Sequence, residues 1–286
     1  MSHPGEPVRV DARTLHEWPL PPPGGSKNAR GRVVVIGGSE RSPGAVMLAG
    51  IAALRVGAGR LTLVTPPSIA LPVAIAVPEA GVLALVDGDA DAAHDPLGDT
   101  VRSELATADA VLLGPGLDDP IVSRRLVEAV CAAGGGSPAL VLDAFALGVL
   151  PGLDLALPRE VVLSPNLDEL AILSGGDVRD VAASVARVAD RYDCVTTSYG
   201  EIASPRDGAW HVAAGGSGLG TSGSGDVLAG AIVGLLARGA DAAQAAVWAT
   251  SLHALAGDRL AERIAEVGFL ARELCDELPR ALATVN

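Results

Sequence analysis

From Arg32 onward the chain alternates two apolar patterns. Short continuous apolar runs occupy 33–36, 61–64, 82–86, 110–113, 139–142 and 161–163. Runs of this length, apolar throughout save Thr62, are what strands buried on both faces require. Between them lie segments of helical period at 43–55, 121–133, 168–173 and 178–192. The stretches 194–197 and 201–203 read as strands of a hairpin, with 210–212 following. The last third is helical, over 227–236, 242–261 and 269–278. This alternation predicts a mostly parallel sheet covered by helices on both faces, in one α/β domain of about eight or nine strands. Ligands of such sheets sit beyond the carboxyl ends of the strands. The Pro21-Pro22-Pro23-Gly24-Gly25 stretch reads as a linker, so residues 1–26 are expected to form an N-terminal arm and 27–286 the domain.

Composition narrows the function classes. The chain has 286 residues and a formal net charge of −13, which opposes binding to nucleic acid or to an anionic membrane surface. Aromatics are 2%, too few to build stacking platforms for single-stranded nucleic acid. The uncharged stretch 61–78, near a membrane-spanning length, carries Pro66, Pro67, Pro72 and Pro78, which break a membrane helix. The N-terminus is polar and acidic, unlike a signal peptide. Cys131, Cys194 and Cys275 are far apart, with no metal-ligand spacing, so no protein metal site is expected and a cytoplasmic location is.

The strongest chemical signal is Gly220-Thr221-Ser222-Gly223-Ser224-Gly225-Asp226, running straight into an apolar helix. Free amides of such a loop and the helix dipole form an anion hole suited to phosphate. Asp226 either stabilises the helix N-terminus by charge alone or stands beside the hole to exchange a proton. The 33–44 segment lacks the G-x-G-x-x-G spacing, and no P-loop occurs. Gly114-Pro115-Gly116-Leu117 is a turn or a place where backbone meets ligand. Asp143 ends a strand, where it caps the next helix or holds a metal. His253 falls mid-helix, packed or half-exposed; His3, His16, His94 and His211 read as surface.

Taken in order, Lys27-x-x-x-Gly31-Arg32-Val33, Gly37-Gly38-Ser39, Gly44-Ala45, Arg55-x-Gly57-Ala58-Gly59, Gly114-Pro115-Gly116-Leu117, Leu142-Asp143-Ala144, Ser164-Pro165-x-x-x-Glu169 and Gly223-Ser224-Gly225-Asp226-Val227-Leu228-Ala229-Gly230 resemble the ADP-dependent NAD(P)H-hydrate dehydratase family. The resemblance spans about 27–278 and implies a ribokinase-like three-layer α/β/α fold. It implies dehydration of the S epimer of NADHX or NADPHX at the expense of ADP (ATP in many eukaryotes), releasing NAD(P)H, AMP and phosphate. Mg²⁺, a homo-oligomer (a tetramer) and an epimerase as functional partner belong to the same expectation.

Carried over by position, Asp226 is the catalytic base. Ala45, Gly116 and Asn166 contact the hydrate. Thr196, Thr197, Ser198, Tyr199, Gly200, Gly223, Ser224 and Gly225 contact the nucleotide. The chain departs from the family pattern in three places. Asn166 stands where the family has His, the family's Lys-Gly lysine is missing and falls on Thr196 without gaps, and Phe145 replaces an acidic residue. A nucleotide-binding homologue with impaired catalysis and a ribokinase-like small-molecule kinase are the alternatives.

Overall fold

The computed structural model describes residues 6–86, 95–133 and 138–285. A ten-stranded sheet forms the centre. In chain order its strands are β1 (Val8–Val10), β2 (Arg32–Ile36), β3 (Arg60–Thr65), β4 (Gly81–Ala84), β5 (Ala110–Leu113), β6 (Ala139–Leu142), β7 (Val161–Leu163), β8 (Val195–Ser198), β9 (Glu201–Ser204) and β10 (Gly208–Val212). Across the sheet they run β1-β10-β9-β8-β7-β6-β5-β2-β3-β4. Strands β2 to β8 are parallel, and β9 alone runs against its neighbours. Strand order reverses where β2 pairs with both β3 and β5. Ligands of open α/β sheets bind beyond the carboxyl ends of the strands, near such switch points.

Two hydrophobic cores flank the sheet, so the expected three layers are present. One lies under α2 (Pro43–Arg55), α9 (Ser224–Ala237), α10 (Ala242–Arg263) and α11 (Ala271–Val285). The other lies under α4 (Gly98–Leu105), α5 (Pro120–Ala133), α7 (Leu167–Ser174) and α8 (Val181–Tyr192). Helices α2 and α9 meet along small residues: a methyl at Gly230 would strike the Ala49 carbonyl, and one at Gly234 the Ala53 carbonyl. Small residues let the two backbones approach closely, which fixes where the α9 N-terminus sits.

Two stretches carry elements that the sequence reading did not place. Within 1–26, β1 adds to the sheet edge beside β10, α1 (Ala12–Glu17) follows it, and Trp18 stacks on Trp210 with ring centroids 5.7 Å apart. The Trp18 carbonyl accepts from Trp248 Nε1 at 2.9 Å. A strand this short does not register as periodicity, and its partner, at 208–212, lies near the other end of the chain. The proline-rich 61–78 stretch contains α3 (Pro67–Ala76), with Pro67 in the first turn, where its missing N–H is harmless, and Pro72 inside. Among the described residues no helix is long and apolar enough to cross a membrane. His3 and His94 lie outside the described residues.

Candidate active site

The carboxyl ends of β6, β7 and β8 deliver residues into one cleft of about 650 Å³. Asp143 follows β6, Ser164 to Asn166 follow β7, and Ser198 to Gly200 close β8 and its turn. The N-terminus of α9 forms the opposite wall, and α10 supplies Thr250 and His253. Gly223 caps α9 with φ 89°, a conformation that turns the loop into the helix and leaves no side chain over the first-turn amides. Ser224, Gly225 and Asp226 are the first residues of that helix. The arrangement is a helix-terminus anion site with a carboxylate on its rim.

Three carboxylates converge here. Burial, and then the charge of Glu169, pushes Asp226 up to about 6. Asp143 is 6% exposed, and burial first, then Asp226 and Glu169, hold its carboxyl well above the usual range. Burial also raises Glu169, although it accepts the Asn166 N–H at 2.9 Å. None of the described residues lining the cleft is a lysine or arginine. The cleft therefore favours protons or cations beside any bound anion.

The expected residues fall into three groups. Asn166, Thr197, Ser198, Tyr199, Gly200, Gly223, Ser224, Gly225 and Asp226 all line the cleft. Ala45 and Gly116 sit together at the switch point instead: a side chain on Gly116 would meet the Ala45 methyl and the Ser42 carbonyl. Thr196 does neither. It is fully buried, on the face of β8 opposite Thr197, with its hydroxyl 3.9 Å from the Cys194 sulfur. The residue directly before the turn glycine is Tyr199, so that position, and not Thr196, faces the cleft.

Asn166 also shapes the backbone: its Oδ1 accepts the Glu169 N–H at 2.9 Å, which closes a capping box at the start of α7. The Asn166 side chain also hydrogen-bonds the Glu169 carboxylate, which works against the rise that burial causes there. Ser198 donates to the Pro165 carbonyl at 2.7 Å, and the Thr197 and Thr250 hydroxyls pair at 3.0 Å.

Sequence reasoning missed the convergence of Asp143 and Glu169, and it left His253 without a role. Thr250 and His253 are spaced i, i+3 on an otherwise apolar helix face, and that polar pair was the available signal. Two non-glycine residues of the cleft hold positive φ, Ala144 at 50° and Tyr199 at 49°. Each costs about 1–2 kcal/mol. Strain of this kind gathers at functional sites.

A parallel sheet that reverses order beside a glycine-capped helix terminus defines a nucleotide-handling α/β/α protein of the ribokinase-like class. A ribokinase-like superfamily protein from Enterococcus faecalis superposes with TM-score 0.84 at 26% identity, covering 97% of this chain and 96% of that one. The sequence profile of NAD(P)H-hydrate dehydratase matches residues 33–280, and the chain belongs to that family. An ADP-dependent (S)-NAD(P)H-hydrate dehydratase from Xanthomonas campestris is 44% identical over 96% of this chain and 95% of its own length. The ADP/ATP-dependent NAD(P)H-hydrate dehydratase of Bacillus subtilis, co-crystallised with ATP and Mg²⁺, superposes with TM-score 0.83 at 25% identity, covering 99% of both chains.

Proposed function

We propose that this enzyme dehydrates the S epimer of NADHX and NADPHX, using ADP or ATP as phosphoryl donor. The observation that carries the reading is Asp226, a half-buried carboxylate on the first turn of α9 beside the helix-terminal amides. Family membership weighs against the small-molecule kinase.

Chemically, the hydrate hydroxyl is a poor leaving group. Asp226 takes its proton as the oxygen attacks the terminal phosphorus, and the P–O bond to the rest of the nucleotide breaks. With ADP this leaves AMP and a phosphorylated hydrate. The C–O bond then breaks with its electron pair on phosphate, and loss of a proton from the neighbouring carbon restores the ring double bond. The amides of Gly223, Ser224 and Gly225 hold the charge that develops on the phosphoryl oxygens. In this reading the hydrate reaches from the cleft toward Ala45 and Gly116 at the switch point, and the nucleotide contacts Thr197 to Gly200.

Among the described residues no group of three or more His, Cys, Asp or Glu is arranged to hold a metal ion. The carboxylates of Asp143, Glu169 and Asp226 would suit a Mg²⁺ that arrives on nucleotide phosphates, and bound there it would supply neutralisation of phosphoryl charge.

An epimerase that interconverts the R and S hydrates is the expected functional partner, the cytoplasm the expected location, and a homo-oligomer the expected assembly.

Product stoichiometry tests the reading. One AMP and one phosphate should appear per NADH formed from hydrate and ADP, and Asp226→Asn should lose roughly a thousandfold in kcat. An Asp226→Asn enzyme with unchanged turnover overturns the assignment.

A further inference from the structure

The β8–β9 connection has two residues, Tyr199 and Gly200, since Ser198 pairs with Glu201. Both have positive φ, 49° and 82°, the signature of a type I′ turn. The first position of such a turn favours Asn, Asp or Gly, because their backbones enter the left-handed region readily. This chain places a tyrosine there. The residue is 69% exposed while it lines the cleft, and it is the only Phe, Trp or Tyr among the cleft's described lining residues.

The turn around it is rigid. Ser198 on one side donates to the Pro165 carbonyl at 2.7 Å. On the other, Val212 N–H donates to the Gly200 carbonyl at 2.8 Å, and a side chain at Gly200 would strike the Val212 carbonyl. A strained, exposed ring is thus held at the rim of a cleft whose described lining offers no lysine or arginine.

We propose that Tyr199 is a specificity-determining residue whose ring stacks on the planar base of a bound nucleotide. The proposal rests on the cleft being the nucleotide and hydrate site. Stacking recognises the base rather than the phosphates, and it replaces by ring contact what the missing cation would supply by charge. Either the base of the ADP co-substrate or a ring of the hydrate fits this chemistry, and the two are separable by experiment.

The experiment compares Tyr199→Phe, Tyr199→Asn and Tyr199→Ala with the wild-type enzyme. Calorimetry gives the Kd for ADP and for inorganic pyrophosphate, both with Mg²⁺, and steady-state kinetics give the KM for NADHX. Tyr199→Asn suits the turn better and should raise Tm, so its folding is not in question. The expected result is a loss of roughly 3- to 30-fold in ADP affinity for the Asn and Ala variants, with Phe within about twofold and pyrophosphate unchanged. A rise confined to the KM for NADHX instead assigns the ring to the hydrate and also supports the proposal. Unchanged values for both ligands overturn it. So does a Phe variant as weak as Ala, or an equal loss for pyrophosphate, since neither is ring stacking. Wild-type turnover with unaffected variants removes this proposal alone. An ADP-specific loss in a protein without turnover removes the dehydratase reading alone.

Discussion

His253 Nε2 lies 3.0 Å from the Ser224 hydroxyl oxygen and 3.1 Å from the Ser224 carbonyl oxygen. A carbonyl cannot donate, so Nε2 carries the proton and shares it between the two oxygens. Burial pushes His253 down to about 4, which keeps the imidazole neutral at pH 7. The Ser224 hydroxyl then accepts from His253 and keeps its own hydrogen to donate. The pair ties α10 to the first turn of α9, and so holds the anion site in place.

His253→Ala should therefore raise the KM for ADP by roughly 3- to 10-fold and lower Tm by several degrees. His253→Gln, which restores a side-chain N–H, should recover most of the affinity. Kinetics and a thermal melt on both variants check this. Equal losses in the two variants would mean that packing, and not the donated hydrogen bond, is what His253 supplies.

The same burial makes stability depend on pH. The folded-state pKa of His253 lies below its ordinary value of 6.5, so the unfolded chain binds the proton more tightly. Its contribution is fully present above about 6.5 and is lost as pH falls toward about 4. Denaturant melts from pH 7 to pH 4 should show a stability loss that is smaller in His253→Gln than in the wild type.

Asp226 has the opposite sign. Its folded-state pKa is raised from 3.8 to about 6, so it favours the folded state below about 3.8, and that contribution disappears as pH rises through 6. Asp226→Asn should lose roughly a thousandfold in kcat and yet melt a few degrees higher than wild type at about pH 7.5, with the gap closing toward pH 4. Wild-type kcat/KM should climb with pH through a limb near 6 as the base ionises.

Gly230 sets the depth of α9 against α2. A Cβ there would lie 2.1 Å from the Ala49 carbonyl oxygen. Gly230→Ala should destabilise by about 1–3 kcal/mol through overpacking, and a larger side chain by more. Chemical denaturation checks the magnitude, and the loss of ADP affinity should track the displaced helix.

Residues 8–20 are part of the fold. Removing residues 6–20 would strip the Trp18–Trp210 stack and leave Trp248 Nε1 and the Gln244 amide without the Trp18 and Pro19 carbonyls. Buried donors left unpaired cost about 1–3 kcal/mol each. The truncated chain should unfold at a markedly lower denaturant concentration than the full chain.

How much of this was legible in the sequence depended on the range of the interaction. The strand over 33–36, the helix over 43–55 and the 194–203 hairpin were readable because periodicity and turn residues are local. The glycine loop and Asp226 were readable because helix-terminus chemistry is also local. The edge strand β1 was not, since it gains its meaning from a partner at 210–212. Helix α3 was masked by its prolines, Pro67 in the first turn and Pro72 inside. Thr196 was placed at the cleft by counting without gaps; strand alternation turns it away, and the two-residue turn brings Tyr199 there instead. The mutual influence of Asp143, Glu169 and Asp226 needed strand ends and two helix starts to meet, which residue spacing does not encode.

The most direct measurement is absorbance at about 340 nm, where the reduced nicotinamide absorbs, of the purified protein with NADHX, Mg²⁺ and ADP. A rise that requires the nucleotide and the S epimer, and that is absent in Asp226→Asn, is the predicted result. No rise with either ADP or ATP, while calorimetry still detects nucleotide binding, would contradict the account.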